Sequence, residues 1–141
     1  MATYQKFNAF IENVFEKVHD LGSDTLKIML TNTAPLATDA VKADITEISA
    51  GNGYSAGGAV VAQSSSAQTG GTYKLVISDP TFTASGGSIG PFRYAVLYND
   101  TPTSPADPLI AFWDYGVSIT LTNGNSFTVD LDQVGGVFTA Q

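Results

Sequence analysis

The sequence has no cysteine and only one histidine. The missing cysteines exclude disulfides, thiolate nucleophiles and cysteine-ligated metal sites. With His19 as the only histidine, multi-histidine metal sites are excluded, and any Ser-His-Asp triad depends on this residue. His19 lies where the helix predicted below ends, so we interpret it as a solvated or capping side chain.

Basic residues are scarce: six Lys and Arg stand against thirteen Asp and Glu, a net charge of −7. From Leu75 onward the only base is Arg93, which shares this half of the chain with six aspartates. A chain with this balance repels a phosphate backbone, which argues against nucleic acid as a direct ligand. For Arg93 we favour a pair with an aspartate of its own sheet over recognition of a partner's carboxylate.

Long apolar runs are also missing. The longest, such as residues 109–113, are far shorter than the ~20 residues of a membrane helix. The first ten residues lack the charged region and apolar run of a secretory signal. We therefore expect a soluble protein that is made in the cytoplasm, is not exported by the general route and has no membrane partner.

One segment has helical periodicity. Its apolar residues are Phe7, Ile11, Val14 and Val18, at spacings of four, three and four, and Phe10 and Phe15 widen the stripe. Gly22 stands where a left-handed residue would end the helix. The pattern predicts an amphipathic helix from about residue 4 to about residue 20.

After Gly22 the apolar period changes to two, which is typical of half-buried strands. Leu26, Ile28 and Leu30 share one face, and Lys27 and Met29 share the other. The same alternation recurs at residues 73–77, 92–98, 117–121 and 127–131. Residues 109–115 are apolar on both faces, as in a central strand. Asn123-Gly124 predicts a hairpin between the last two alternating runs.

No second helical period follows, so parallel βαβ units are not expected. The pattern predicts one mainly β domain over residues 1–141, with an antiparallel sandwich or closed barrel over about 24–140. The glycine-rich stretch AGNGYSAGG (residues 50–58) lacks the spacing and the Lys-Ser or Lys-Thr ending of a phosphate loop, and the residues after it favour a strand. We interpret it as a flexible connection in which glycine permits positive φ.

The acidic residues do not form a catalytic pattern. Asp130 and Asp132 share one face of a strand, as a carboxylate pair for acid/base work or calcium binding would. Apolar Phe127, Val129 and Leu131 take the opposite face, so we interpret the aspartates as its solvent side. We predict no enzymatic activity, no metal and no cofactor.

The aromatic residues are the remaining candidates for binding. Alternation places Trp113 and Tyr115 opposite Phe112, so one of the two faces belongs to the core and the other is either core or an interface anchor. Exposed Trp113, Tyr115 or Tyr98 would also suit stacking on sugars.

Four stretches resemble a family of small virion proteins of tailed bacteriophages. They are DTLKIMLTNTAP (24–35), ADITEISAGNGYSAGG (43–58), SDPTFTASGGSIGPFRYAVLYNDT (78–101) and PLIAFWDYGVSITLTNGNSFTVD (108–130). The resemblance covers most of the chain apart from residues 60–72 and the last ten. It implies a structural protein without catalytic motifs, such as a capsid decoration (cement) protein with a jelly-roll-like β-sandwich.

The resemblance leads to a functional expectation. The chain would bind the major capsid protein on the outer head surface, stabilise the shell by bridging capsomers, and self-associate there as a dimer or trimer. The alternatives are a tail- or fibre-associated structural protein and, from another class, a carbohydrate-binding module. The candidate interface residues are Phe7, Phe10, Ile11, Val14, Arg93, Trp113 and Tyr115.

Overall fold

The structure, a computed structural model, describes residues 2–141. Strands make up 47% of the chain and helices 7%, and every strand pair is antiparallel, which confirms the prediction of a mainly β fold with one α-helix. The elements are β1 (Thr3–Lys6), α1 (Ala9–Phe15), β2 (Leu26–Thr31), a 3₁₀ turn (Lys42–Asp44), β3 (Ala59–Val61), β4 (Gln63–Thr69), β5 (Thr72–Ile77), β6 (Thr81–Thr83), β7 (Ile89–Asn99), β8 (Leu109–Leu121), β9 (Ser126–Thr128) and β10 (Phe138–Ala140).

The strands form three sheets. Five strands make the largest, in the order β1-β8-β7-β2-β3, so the apolar run at 109–115 lies in an interior strand, as predicted. The others have the orders β10-β5-β4 and β6-β9. Residues from all three sheets meet in one hydrophobic core, which includes Ile28 from β2, Leu75 from β5, Phe82 from β6 and Val129 just after β9.

A second hydrophobic core lies on the opposite side of the large sheet. Its buried residues are Phe7, Met29, Tyr94, Val96, Tyr98, Leu109 and Phe112. The long segment 32–58 covers it, with Ile45 packed against it and Gly57 O accepting a hydrogen bond from Tyr98 Oη at 2.7 Å. Strand β2 is therefore buried on both faces and not on one as predicted, because Met29 enters this second core and Lys27 forms an ion pair with Asp100 at 2.8 Å.

The helix is shorter than the predicted segment 4–20. Residues 3–6 instead form β1, in which Tyr4 pairs with Trp113 of β8, because the edge of the large sheet offers backbone partners that no periodicity reveals. The helix ends at Phe15 because Lys17, two residues further on, adopts the left-handed conformation (φ 64°), and Val18 N–H bonds Asn13 O as in a Schellman motif. Gly22 therefore plays no part in ending it. Neither helical segment of residues 2–141 is long and apolar enough to span a bilayer.

Irregular register between β7 and β8 changes which side chains share a face. Phe92 pairs with Ile119, but Tyr94, two residues on, pairs with Asp114, so residues 115–118 bulge out of β8. As a result Phe92 lies in the first core, and Tyr94 lies in the second. The prediction that residues 92–98 present one continuous face was wrong at Phe92 for this reason.

The turn at Asn123-Gly124 is present, but the predicted hairpin is not. Gly124 has positive φ (86°), and Asn125 N–H bonds Thr122 O at 3.1 Å. The strand after the turn, β9, then pairs with β6 and not with β8. A turn signal predicts where the chain reverses, and the available edges decide which strands pair.

The glycine-rich segment 50–58 is tied to the sheet and is not a loose connection. Tyr54 is buried, donates to Glu47 Oε1 at 2.7 Å and accepts from Leu30 N–H at 3.0 Å. Gly57 N–H also bonds Glu47 Oε1, at 2.6 Å. Positive φ at Gly58 (79°) brings its backbone against Ile28 O, where a Cβ would collide. The glycines thus allow close packing against β2.

Candidate functional site

A surface groove of about 520 Å³ lies between β1, β7 and β8 on one side and the β9 segment on the other. We call it the aromatic groove. Three of the candidate interface residues, Arg93, Trp113 and Tyr115, lie along it. Tyr4, Phe92, Phe127, Asp130 and Asp132 also line it.

Two aromatic pairs form its walls. The ring centroids of Tyr4 and Trp113, which are cross-strand partners on β1 and β8, are 5.5 Å apart. Tyr115, at the start of the β8 bulge, packs edge-on against Phe127 at the same distance. Tyr4 and Tyr115 are 42% and 48% exposed, far more than aromatic residues that only fill a core, so their rings remain available for binding.

An internal ion pair supports the groove. Arg93 donates from Nε and Nη2 to the two carboxylate oxygens of Asp114, at 2.7 and 2.9 Å, which confirms the favoured interpretation of Arg93. Gly116 N–H also bonds Asp114 Oδ1, at 2.7 Å, which ties the bulge to the pair. The Arg93 hydrogen bonds hold the pKa of Asp114 below its usual range, and the same contact raises the pKa of Arg93.

Two further carboxylates lie on the β9 side. Asp130 and Asp132 are exposed, whereas Val129 and Leu131 are buried, so the alternation predicted for this segment is correct although β9 itself ends at Thr128. Asp132 Oδ1 accepts hydrogen bonds from the N–H groups of Gly135 and Val134. These bonds, with a smaller contribution from the charge of Lys74, lower the pKa of Asp132.

The remaining candidate interface residues lie elsewhere. Phe7 and Phe10 are fully buried in the second and first cores, so they are not available to a partner on the surface of this fold. Ile11 and Val14 are partly buried and line a second groove, of about 770 Å³, between α1 and strands β5 and β10. Tyr98, considered for sugar stacking, is fully buried beneath segment 32–58.

His19 is buried, in contrast to the solvated or capping role predicted for it. Only 8% of the residue is exposed, and its ring packs edge-on against Phe10. Asn99 Nδ2 contacts its Nδ1 at 3.1 Å and donates to Asp24 Oδ2 at 2.6 Å. Burial lowers the pKa of His19 to about 4, so the ring is neutral at pH 7.

Sequence reasoning missed Tyr4 and Phe127 as groove residues. Tyr4 was assigned to the helix, although the β-branched and aromatic pair Thr3-Tyr4 favours a strand. The alternation places Phe127 on the core face, and its ring does contact Phe92 there. The same ring also packs against exposed Tyr115 and so forms part of the groove wall. The approach of β1 and β9 to β8 depends on sheet order, which a single sequence does not reveal.

The groove combines aromatic faces, carboxylates and a guanidinium that is already paired, which are groups suited to binding.

No protein-family model, curated protein or solved structure matched the chain in the three comparisons with known proteins.

Proposed function

We propose that this chain is a structural, non-enzymatic virion protein of a tailed bacteriophage, and specifically a capsid decoration protein that binds the outer head surface and bridges capsomers. The observation that carries the proposal is the resemblance of four stretches of the sequence to such proteins. The aromatic groove adds a surface through which the chain would dock on the major capsid protein.

The composition of the groove supports a docking role. Trp, Tyr and Arg are the residues most enriched at the energetic centres of protein interfaces. Trp113 and Tyr115 present aromatic area, and the Arg93–Asp114 pair with the Gly116 contact fixes the strand that carries them. A surface that is ordered before binding loses less conformational entropy when the complex forms.

Stabilisation of the shell would follow from linkage. A protein that binds the assembled capsid better than its free subunits shifts the equilibrium towards the assembled state. Each copy needs only modest affinity if it bridges several subunits, because the second contact is then intramolecular. We propose that the chain associates as a dimer or trimer on the capsid, where a symmetry axis would bring copies together.

At the level of the fold, we propose that the large sheet and the two smaller sheets form a jelly-roll-like sandwich. The support for this is the first core, which residues of all three sheets share. Face-to-face packing of two layers around such a core is the arrangement that defines a β-sandwich.

The test is to add purified protein to undecorated phage heads and image the heads by cryo-electron microscopy. Regular density on the outer surface is expected, with loss of binding by Tyr115→Ala and retention by Phe15→Ala, which removes an exposed aromatic ring outside the aromatic groove. Circular dichroism of both variants checks that they fold. Bare heads would contradict the proposal, and density on phage tails in a parallel sample mixed with the same protein would support a tail- or fibre-associated protein instead.

A carbohydrate-binding module is the second candidate, and the groove is the observation that favours it. Sugars stack on exposed aromatic rings, here Tyr4 and Tyr115, and carboxylates such as Asp130 accept hydrogen bonds from hydroxyls. The fluorescence of Trp113, the chain's one tryptophan, reports directly on this groove. An unchanged emission spectrum across a panel of neutral oligosaccharides would count against this candidate.

A further inference from the structure

The charges around the aromatic groove are unbalanced. Of the charged side chains that line it, Arg93 is neutralised by Asp114, which leaves the carboxylates of Asp130 and Asp132. Within residues 2–141 neither of these aspartates has an ion-pair partner within 4.0 Å, and Lys74, whose charge acts on Asp132, donates its hydrogen bond to Val134 O instead. The groove therefore presents a negative charge beside aromatic rings.

Aromatic faces and carboxylates together recognise cations. The face of a Trp or Tyr ring attracts an ammonium or guanidinium group, and a nearby carboxylate adds a charge-assisted hydrogen bond. The chain already has one such contact next to the groove, because the Arg93 guanidinium lies 5.3 Å from the centre of the Tyr94 ring. The long aliphatic stem of an arginine or lysine would also fit the apolar walls between the rings.

We propose that the aromatic groove receives an arginine or lysine side chain presented by a partner protein, with the aliphatic stem between Tyr4, Trp113 and Tyr115 and the charged end at Asp130 and Asp132. This inference rests on the proposed docking function and names the chemistry of its partner. The net charge of −7 favours the same kind of partner, because it attracts a basic surface over longer distances.

The direct test uses capped tripeptides that differ at one residue. Acetyl-Gly-Arg-Gly-amide, its lysine equivalent and the neutral glutamine equivalent are titrated into the full chain at low salt, and the emission of Trp113 is recorded. The arginine and lysine peptides are expected to give saturable changes that weaken as salt is added, whereas the glutamine peptide gives none. Equal responses to all three peptides would overturn the proposal.

Charge variants separate the groove from the general charge of the protein. Asp130→Asn with Asp132→Asn should weaken the binding of the arginine peptide about five-fold or more, since each exposed charge contact contributes modestly. Glu12→Gln with Glu16→Gln removes the same charge from exposed positions on and just after α1, outside the groove, and should leave binding unchanged. Equal weakening by both double variants would contradict a specific site.

Two outcomes distinguish this inference from the docking function. If heads bind the wild-type chain and the Asp130/Asp132 double variant equally, and the peptides do not bind, the inference fails while the docking function survives. If the peptides bind as expected but heads do not bind, the groove takes basic side chains and the capsid is not its partner. A response of Trp113 to neutral oligosaccharides, without a response to the basic peptides, would overturn the inference in favour of a sugar site.

Discussion

At the scale of single residues, buried His19 is the clearest source of pH dependence. Asn99 Nδ2 donates to Nδ1 of the ring, so the proton of the neutral imidazole resides on Nε2, which has no hydrogen-bond partner in the described part of the chain. Adding a second proton places N–H groups opposite each other at Nδ1 and charges a ring that is buried away from water, and the attraction of nearby Asp24 only partly offsets these two effects. Both effects oppose protonation in the folded state.

We predict that this histidine makes the protein less stable in mild acid. Its pKa falls from 6.5 in the unfolded chain to about 4 in the folded one, so its contribution is complete above pH 6.5 and is lost as the pH falls towards 4. Between about pH 7.5 and about pH 5 the free energy of unfolding should decrease by about 2 kcal/mol from this group. Urea denaturation at the two pH values measures the loss.

The control is His19→Gln, which removes the titrating ring and keeps an oxygen that can accept from Asn99. This variant should be less stable than the wild type at neutral pH, but its free energy of unfolding should fall less between the two pH values. The carboxylates titrate in both proteins, so the difference between the two pH profiles of unfolding free energy gives the contribution of the histidine. Parallel pH profiles would show that the ring is not protonated as argued.

Gly58 is the second position at which one residue decides local structure. Replacing it with alanine should lower the free energy of unfolding by more than about 2 kcal/mol, because the new Cβ combines positive φ with a collision against backbone Ile28 O. Gly70→Ala is the matched control, with positive φ but open space around the added Cβ, and should cost about 1 kcal/mol. Equal losses in urea denaturation would mean that the collision is relieved by a small shift.

At the scale of elements, alternation located the main strands but not every face they bury, and helical periodicity misplaced the helix. Leu26, Ile28 and Leu30 do share the first core, since neighbouring strand residues point to opposite faces. Phe7 and Phe10 also belong to a regular apolar stripe, but they enter different cores because the chain changes from strand to helix between them. An apolar stripe therefore predicts which residues are buried, but it does not predict whether a helix or a strand carries them.

We predict opposite outcomes for two phenylalanines of that stripe. Phe7→Ala should cost about 3 to 5 kcal/mol, because the ring is fully buried against Phe112 at 5.1 Å. Phe15→Ala should change the free energy of unfolding by less than about 0.5 kcal/mol, because Phe15 is 83% exposed. Similar losses of stability from the two substitutions would contradict this difference in burial and would agree better with the longer helix predicted from the sequence.

The candidate site could be predicted from the sequence only in part. Trp113 and Tyr115 were identified because they share a face of an aromatic-rich strand, and Arg93 was paired with an aspartate of its own sheet. Tyr4 and Phe127 complete the walls, but their positions depend on β1 joining the edge of the large sheet and on β9 joining β6. These long-range pairings depend on which strand edges lie next to each other in the folded chain, and the local sequence pattern does not contain that information.

At the scale of the whole molecule, the two cores share one sheet. In β7, Ala95 and Leu97 point into the first core, whereas Val96 and Tyr98 point into the second. Loss of β7 would therefore expose both cores at once. We predict a single cooperative unfolding transition, in which Trp113 fluorescence and far-ultraviolet circular dichroism change at the same urea concentration. Two separated transitions would show that segment 32–58 and its core unfold independently.

The pairing of β1 with β8 also has a consequence for the newly made chain. Lys6 meets Ala111, so the first strand has no partner until more than a hundred further residues have left the ribosome. At about 5 to 20 residues per second, that wait lasts roughly 5 to 20 s. One wall of the aromatic groove, Tyr4 against Trp113, is therefore assembled only after strand β8 has left the ribosome, and until then the nascent chain has no finished groove with which to bind a partner.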